Sequence, residues 1–395
     1  MTLVLCHLPS FYRILLFSIY NYDIGHNMKH LFQVLFLLLF CYACSSSEKQ
    51  QQPKDFIEIN MVPLIEGEAQ KMPLQEWAKS VRFIPLETND DILIKHIEDV
   101  FQRGDTLLVR HWERLSAFDM NGKYLYDIGS KGPGPEEFTN ARFVRIHNDL
   151  IYVLESANRI KAYDWKGKFI KKITLPSKAY DVLTVPGNED MLVYVANHSG
   201  EEAVRFYRVK GEEVLDTVFN PFIYKLPENV NWKINFKHEF QCSAGSLRAF
   251  IELGSDTVYR VDENLQTRPY IVFNMGKHLY TREQRYSETS DEWAERRMEG
   301  NECYMTVTGE INDKVYIYNN RQQSIRRTIP YIGDTYCYDK TTKETNKYFL
   351  TYGVNDWGIL PDASFMPRTI LSDKYLVDWE QPENNENPVL ILVEP

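Results

Sequence analysis

Hydrophobic and polar positions alternate with a period of two along most of the chain. "RIKAYD" (159–164) and "KFIKKI" (168–173) show it plainly. That period marks a strand with one buried face. The runs break at "NG" (121–122) and "KG" (166–167), turn sequences in which glycine accepts positive φ. Two long stretches also resemble each other. Residues 105–128, "DTLLVRHWERLSAFDMNGKYLYDI", align with 149–173, "DLIYVLESANRIKAYDWKGKFIKKI". Leu108-Val109 meets Tyr152-Val153, Arg114-Leu115 meets Arg159-Ile160, Phe118-Asp119 meets Tyr163-Asp164, and Gly122-Lys123 meets Gly167-Lys168. The offset is 44 residues at the first pair and 45 at the others. A repeat of about 40–45 residues built from short alternating strands is one propeller blade.

Weaker copies cover 179–219, 234–274 and about 303–350. A last copy, from Phe365 on, is too short for four strands. "VRFIPLE" (81–87) has no repeat of its own and is expected to supply the missing outer strand, which closes the ring and protects its edges. The expected fold is all-β: a six-bladed β-propeller over 81–395, closed by an N-terminal strand. A short helical insertion is expected between blades four and five. There "TSDEWAERRMEG" (289–300) pairs Thr289 with Glu292 as a capping box and stops at Gly300.

The elements "NRI-x-A-Y/F-D", "x-G-K-F/Y", "I-G" and "G-x-G-P-x-E-F" resemble the NHL-type six-bladed propeller lipoproteins of gut Bacteroidota. The resemblance covers roughly 80–395 and is strongest in blades one and two. It implies a fold and an envelope address, but no reaction, because fold does not fix function.

The N-terminus reads as an address. In "MKHLFQVLFLLLFCYAC" (28–44), Lys29 precedes an apolar run, Leu31 to Phe40, too short to span a bilayer. Ala43 before Cys44 resembles a lipoprotein processing site, although Cys41 replaces the usual leucine three places before the cysteine. Residues 28–43 are therefore expected to be a signal peptide, Cys44 the lipidated residue, and 44–80 a polar tether and lead-in. Residues 1–27 carry a second apolar stretch. They are read as a start-site artefact, with an extra membrane segment as the alternative. The expected location is the cell envelope at the outer membrane, on either its periplasmic or its surface side.

Composition narrows the partners. Across 395 residues the net charge is -10 and no basic block appears, which argues against nucleic acid. Cys242, Cys303 and Cys337 form neither a disulfide framework nor a zinc pattern. Cys303 and Cys337, expected on strands A and C of one blade, sit too far apart for a bond. No cofactor is expected, and the chain is expected to be a monomer.

"GSKGPGPEEF" (129–138) is glycine-rich and carries a lysine, yet it is no phosphate loop. Two prolines remove amide donors, and "ARFVRIH", a strand, follows where a helix is needed. It is expected to link blade one to blade two, with Phe138 plugged between them.

If strands A to D run outward from the channel, the A–B and C–D turns share one face and are minimal. The B–C loops and blade-to-blade connections share the other face and are long, which favours binding there. Candidate ligand contacts are Arg110, Trp112, Arg114, Asn158, Arg159, Trp293 and Trp357. The alternative for the "ER" and "NR" pairs is bracing of the B–C loop. The favoured function is a lipid-anchored binding or interaction module whose partner is an envelope protein, a peptide or a glycan. One rival is a metal-dependent lyase or hydrolase, with His96, His147 and His238 converging on the channel. The other is a purely structural lipoprotein.

Overall fold

The computed structural model describes residues 55–395, apart from 112–113, 156–157, 186, 198–199, 225–239, 253, 288, 290, 293–294, 296–302, 304, 321–332 and 383–385. Its strands form six sheets. Blade one comprises Ile97–Arg103, Thr106–His111, Arg114–Asp119 and Tyr124–Asp127 as strands A to D. Blade two runs from Phe143–His147 to Phe169–Thr174, and blade three from Asp181–Thr184 to Glu213–Phe219. Blade four runs from Phe240–Cys242 to Thr267–Asn274, and blade five from Met305–Ile311 to Glu344–Thr351. Blade six has Thr369–Leu371, Tyr375–Glu380 and Val389–Glu394, and takes Ser80–Pro85 as its outermost strand. The ring is thus a six-bladed β-propeller closed by its N-terminal strand, as the alternation in "VRFIPLE" implies. Strands A of blades two and three, four and five, five and six, and six and one lie against each other, and the A strands line the central channel.

The core explains why a period of two was legible. Buried side chains gather into six clusters, one at each seam between neighbouring blades. The seam between blades one and two holds Leu108, Leu115, Val144 and Val153; the closing seam between six and one holds Ile84, Val377, Val100 and Leu107. The inner strands are buried on both faces, so what alternates there is which neighbour a side chain meets, while outer strands such as Phe169–Thr174 alternate between buried and exposed positions.

The lead-in does more than tether. Ile57–Asn60 pairs in parallel with the outer strand of blade four, and Gln70–Pro73 with that of blade five. The segment therefore straps two successive blades, four and five, before closing the last. Asp55 fixes its start through a fork to Arg268, both bonds 2.7 Å, and a 3.2 Å bond to Arg260.

Between blades four and five, a helix spans Arg282–Ser287. Its own capping box joins Thr281 and Gln284, at 2.9 Å and 3.2 Å, and was not singled out in the sequence. The expected box also forms, with the Thr289 amide donating to Glu292 at 2.8 Å; Gly300 lies outside the described residues. No helix among the described residues is long and apolar enough to cross a membrane. Cys242, Cys303 and Cys337 are free thiols. Cys337 lies on strand C of blade five, and Cys303 just before strand A.

The short-turn face is built by one device. Asp119 accepts from the amides of Asn121 and Lys123, Asp164 from Lys166 and Lys168, and Asp262 from Asn264 and Gln266. The repeated aspartate is an Asx turn that closes the C–D hairpins of blades one, two and four. The A–B turns then link across blades: Arg103 to Asp149 at 3.1 Å, Asn148 to the Asn188 carbonyl at 3.0 Å, and Ser372 to Gln102 at 2.9 Å.

Candidate functional site

The glycine loop is a plug. Phe138 is buried at the seam of blades one and two, edge-on to Tyr163 at 5.9 Å. The loop's polar groups turn inward. The Gly134 amide donates to the Glu137 carboxylate at 2.9 Å, and Ser130 donates to the same group at 3.3 Å. Tyr163 donates to the Glu136 carbonyl at 2.8 Å, and Lys161 to the Glu137 carbonyl. The Gly134 amide that a phosphate would need is already spent on a carboxylate.

The other end of the channel differs from the short-turn face. Every strand A starts on the face of the long connections, and polar side chains near several of those starts bond across blades. Arg145 of blade two donates to Asp181 of blade three at 2.5 Å, and the Cys242 thiol of blade four lies 3.7 Å from the same carboxylate. Burial raises the Asp181 pKa against the opposing pull of Arg145. Burial likewise pushes the Cys242 thiol far up, which makes it a poor nucleophile. Thr306 of blade five donates to Gln241 of blade four. Arg142, just before strand A of blade two, lies over Tyr180 at 5.2 Å and has no ion-pair partner among the described residues.

The densest network lies where blade six meets blade five. Asp378 is fully buried and accepts three hydrogen bonds, from Tyr352 at 2.6 Å and from the amides of Met366 and Trp379 at 2.6 Å and 2.8 Å, and it pairs with the Arg368 charge at 2.7 Å. Glu380, two residues along the same strand, lies 3.2 Å from the Tyr352 hydroxyl and 3.7 Å from Arg368. Burial, and then the Asp378 charge, raise its pKa to about 7. A second network pins the helical insertion: Arg205 and Arg282 share Glu252, with Arg282 3.9 Å from the centre of the Phe222 ring.

Most of the sequence-derived contacts spend their donors within the fold. Arg110 is buried and bonds Glu98, Asp99 at 2.6 Å and the Ala141 carbonyl at 3.1 Å. Arg114 holds Asp127 of its own blade, at 3.0 Å and 2.5 Å. Asn158 donates to the Leu175 carbonyl at 3.1 Å, and Arg159 lies 3.4 Å from buried Glu155. Arg114, Asn158 and Arg159 make these contacts beside the B–C loops of blades one and two, whereas those of Arg110 reach strand A and the lead into blade two. Trp357 is exposed, on the connection between blades five and six. Trp112 and Trp293 lie outside the described residues.

The histidines are not brought together. His96 is exposed just before strand A of blade one, whereas His147 is buried at the short-turn end of blade two's strand A. His238 lies outside the described residues, as does Cys44. Among the described residues, no group of three or more His, Cys, Asp or Glu is placed to hold a metal ion. Buried His111 and Ser116, with half-buried Asp127, resemble a catalytic triad in composition only. The serine gives its proton to Asp127 at 2.6 Å, so His111 must donate to Ser116 at 2.8 Å. That polarity is the reverse of nucleophile activation.

Sequence reasoning missed Arg145, Asp181, Tyr352, Arg368, Asp378 and Glu380. The available signal was a charged residue inside a run otherwise patterned for burial, as in "FVRIH" and "YLVDWE".

Among solved structures, the chain resembles a Bacteroides fragilis protein classed as exported: 15% identity, 80% of this chain and 94% of that one covered, TM-score 0.57. It also resembles a Bacteroides vulgatus member of the DUF4221 family, at 14% identity with 80% and 97% covered and TM-score 0.49. Virginiamycin B lyase from Staphylococcus aureus follows at 12% identity, 80% and 99% covered, and TM-score 0.39. No curated protein matches. Residues 56–394 match the family model described as "Domain of unknown function (DUF4934)", a span that takes in the straps and all six blades, so the chain belongs to the DUF4934 family.

Proposed function

We propose that this chain is an exported, lipid-anchored binding module that engages an envelope protein, a peptide or a glycan through its long-loop face. The observation that carries the reading is the asymmetry of the ring. One face is closed by Asx turns and turn-to-turn bonds, while the other gathers the long connections around a charged channel mouth. Rigid scaffolds that present variable connections on one face commonly bind there. The signal-like segment ending at Cys44 supports an envelope address, as do the NHL-type lipoprotein resemblance and the exported class of the Bacteroides fragilis structure.

Two measurements test this. Metabolic labelling with a palmitate analogue should mark the wild type, and Cys44→Ala should lose the label and leave the membrane fraction. The purified chain from residue 45 on is then screened against envelope glycans and peptides, with Arg142→Ala as the loop-face variant and Lys166→Ala as the short-turn control. A ligand lost with Arg142→Ala and kept with Lys166→Ala is expected. Ligands indifferent to the loop face would overturn the reading.

A further inference from the structure

The hydroxyl of Tyr352 has one proton, and its geometry says where that proton goes. Asp378 is 2.6 Å away, fully buried and in need of donors, so Tyr352 donates there. The second contact, 3.2 Å to Glu380, is then a hydrogen bond only if Glu380 carries a proton and donates to the phenol oxygen. Arg368 meets the same accounting. Its Nε lies 2.7 Å from Asp378 as an ion pair without a hydrogen bond, and its Nη2 stands 3.7 Å from Glu380, so the guanidinium is paired by charge and its donors are not spent on either carboxylate. Two carboxylates beside one guanidinium leave Glu380 as the one that gives way. Asp378 is fully buried and holds three hydrogen-bond donors, whereas the Glu380 side chain is 32% exposed.

We propose that Arg368 is an anion-binding group for a ligand carboxylate at the channel mouth, and that Glu380 gates it by holding or releasing a proton. When Glu380 is neutral, the outer edge of Arg368 is free to pair with a carboxylate. When Glu380 ionises, it competes for Arg368 as an internal carboxylate and repels the ligand's charge. The charged and titratable groups facing the gate are Tyr352 from the connection after blade five, Arg368 from the lead into blade six, and Asp378 on the same strand. Tyr318 of blade five faces Arg368 and Asp378. The inference rests on the loop face being the binding face, and it names the chemistry recognised there.

Calorimetric titration tests it with two carboxylate sources, D-galacturonate and N-acetylglycine, and with neutral D-galactose as the control. With the gate titrating at about 7, wild-type affinity for a carboxylate should fall about tenfold between roughly pH 6 and pH 8. Glu380→Gln keeps the shape without the charge and should bind equally at both. Binding of only one acid assigns the source of the carboxylate. Equal wild-type affinity at both pH values, a pH dependence surviving in Glu380→Gln, or no binding of either acid overturns the proposal. Galactose binding as tightly as galacturonate also overturns it, yet leaves the loop-face module standing.

Discussion

Phe138→Ala separates a plug from a phosphate loop. The phenyl ring is 1% exposed, packs with Leu108, Leu115, Val144 and Ile151, and meets Tyr163 edge-on. Truncating a ring in such a site costs about 3–5 kcal/mol, the transfer of the ring plus the cavity left behind. The upper half of that range is expected, because the walls are strands of two blades already fixed by their own ladders. Lys131→Ala, at the exposed lysine of the same loop, should stay within about 0.5 kcal/mol of wild type. Equilibrium urea unfolding of the chain from residue 45 on measures both. Trp165, in the same seam, is a local fluorescence reporter beside the global circular dichroism signal. Pyrophosphate should shift the midpoint of neither protein. A cost below about 1 kcal/mol for Phe138→Ala, or pyrophosphate stabilisation lost with Lys131→Ala, would refute the reasoning.

Other outcomes follow from single contacts. Gly122 sits at φ 84°, and a Cβ there would lie 2.0 Å from the Pro85 carbonyl of the closing strand. Gly104 sits at φ 54° with nothing within 4 Å. Gly122→Ala should therefore lower the melting temperature well beyond Gly104→Ala, and equal effects would count against the closure geometry. Ile59, 3% exposed on the first strap strand, should cost about 2–5 kcal/mol on truncation to alanine, read by urea unfolding; a neutral result would make the strap dispensable. His111 is held neutral by burial, with its pKa lowered to about 4. The unfolded chain takes the proton first, so stability should fall as pH drops from about 6.5 towards 4. Glu380 acts oppositely: its raised pKa costs stability as pH climbs from about 4.5 to 7, a slope that Glu380→Gln should remove. Melting curves across pH for each single variant separate the two.

What the sequence reveals here is the geometry of the repeat. Leu108-Val109 and Tyr152-Val153 align because each blade buries the same positions against its neighbour. The aspartates of Phe118-Asp119 and Tyr163-Asp164 align because each closes the same Asx turn. Both constraints are local, so one strand and one turn suffice to show them. The straps escape notice for the complementary reason. "IEIN" and "QKMP" borrow their partner strands from blades about 200 and 275 residues further on, and neither is long enough to show a period alone.

The channel mouth is harder to read for an electrostatic reason. Arg145, Asp181 and Asp378 stand in strands patterned for burial and Arg368 just before one, and a buried charge is tolerable only with its counter-charge. Those counter-charges come from the neighbouring blade for Arg145 and from across the A–B turn for Arg368. The recurring "ER" and "NR" pairs are more conspicuous in the sequence. Recurrence in register, however, is what bracing produces, since every blade must secure its B–C loop. A binding site breaks the symmetry of the ring, so its residues are those with no counterpart one repeat away. Glu380 meets that test: it shares the Tyr352 hydroxyl with Asp378, and its proton ties the charge of the mouth to pH.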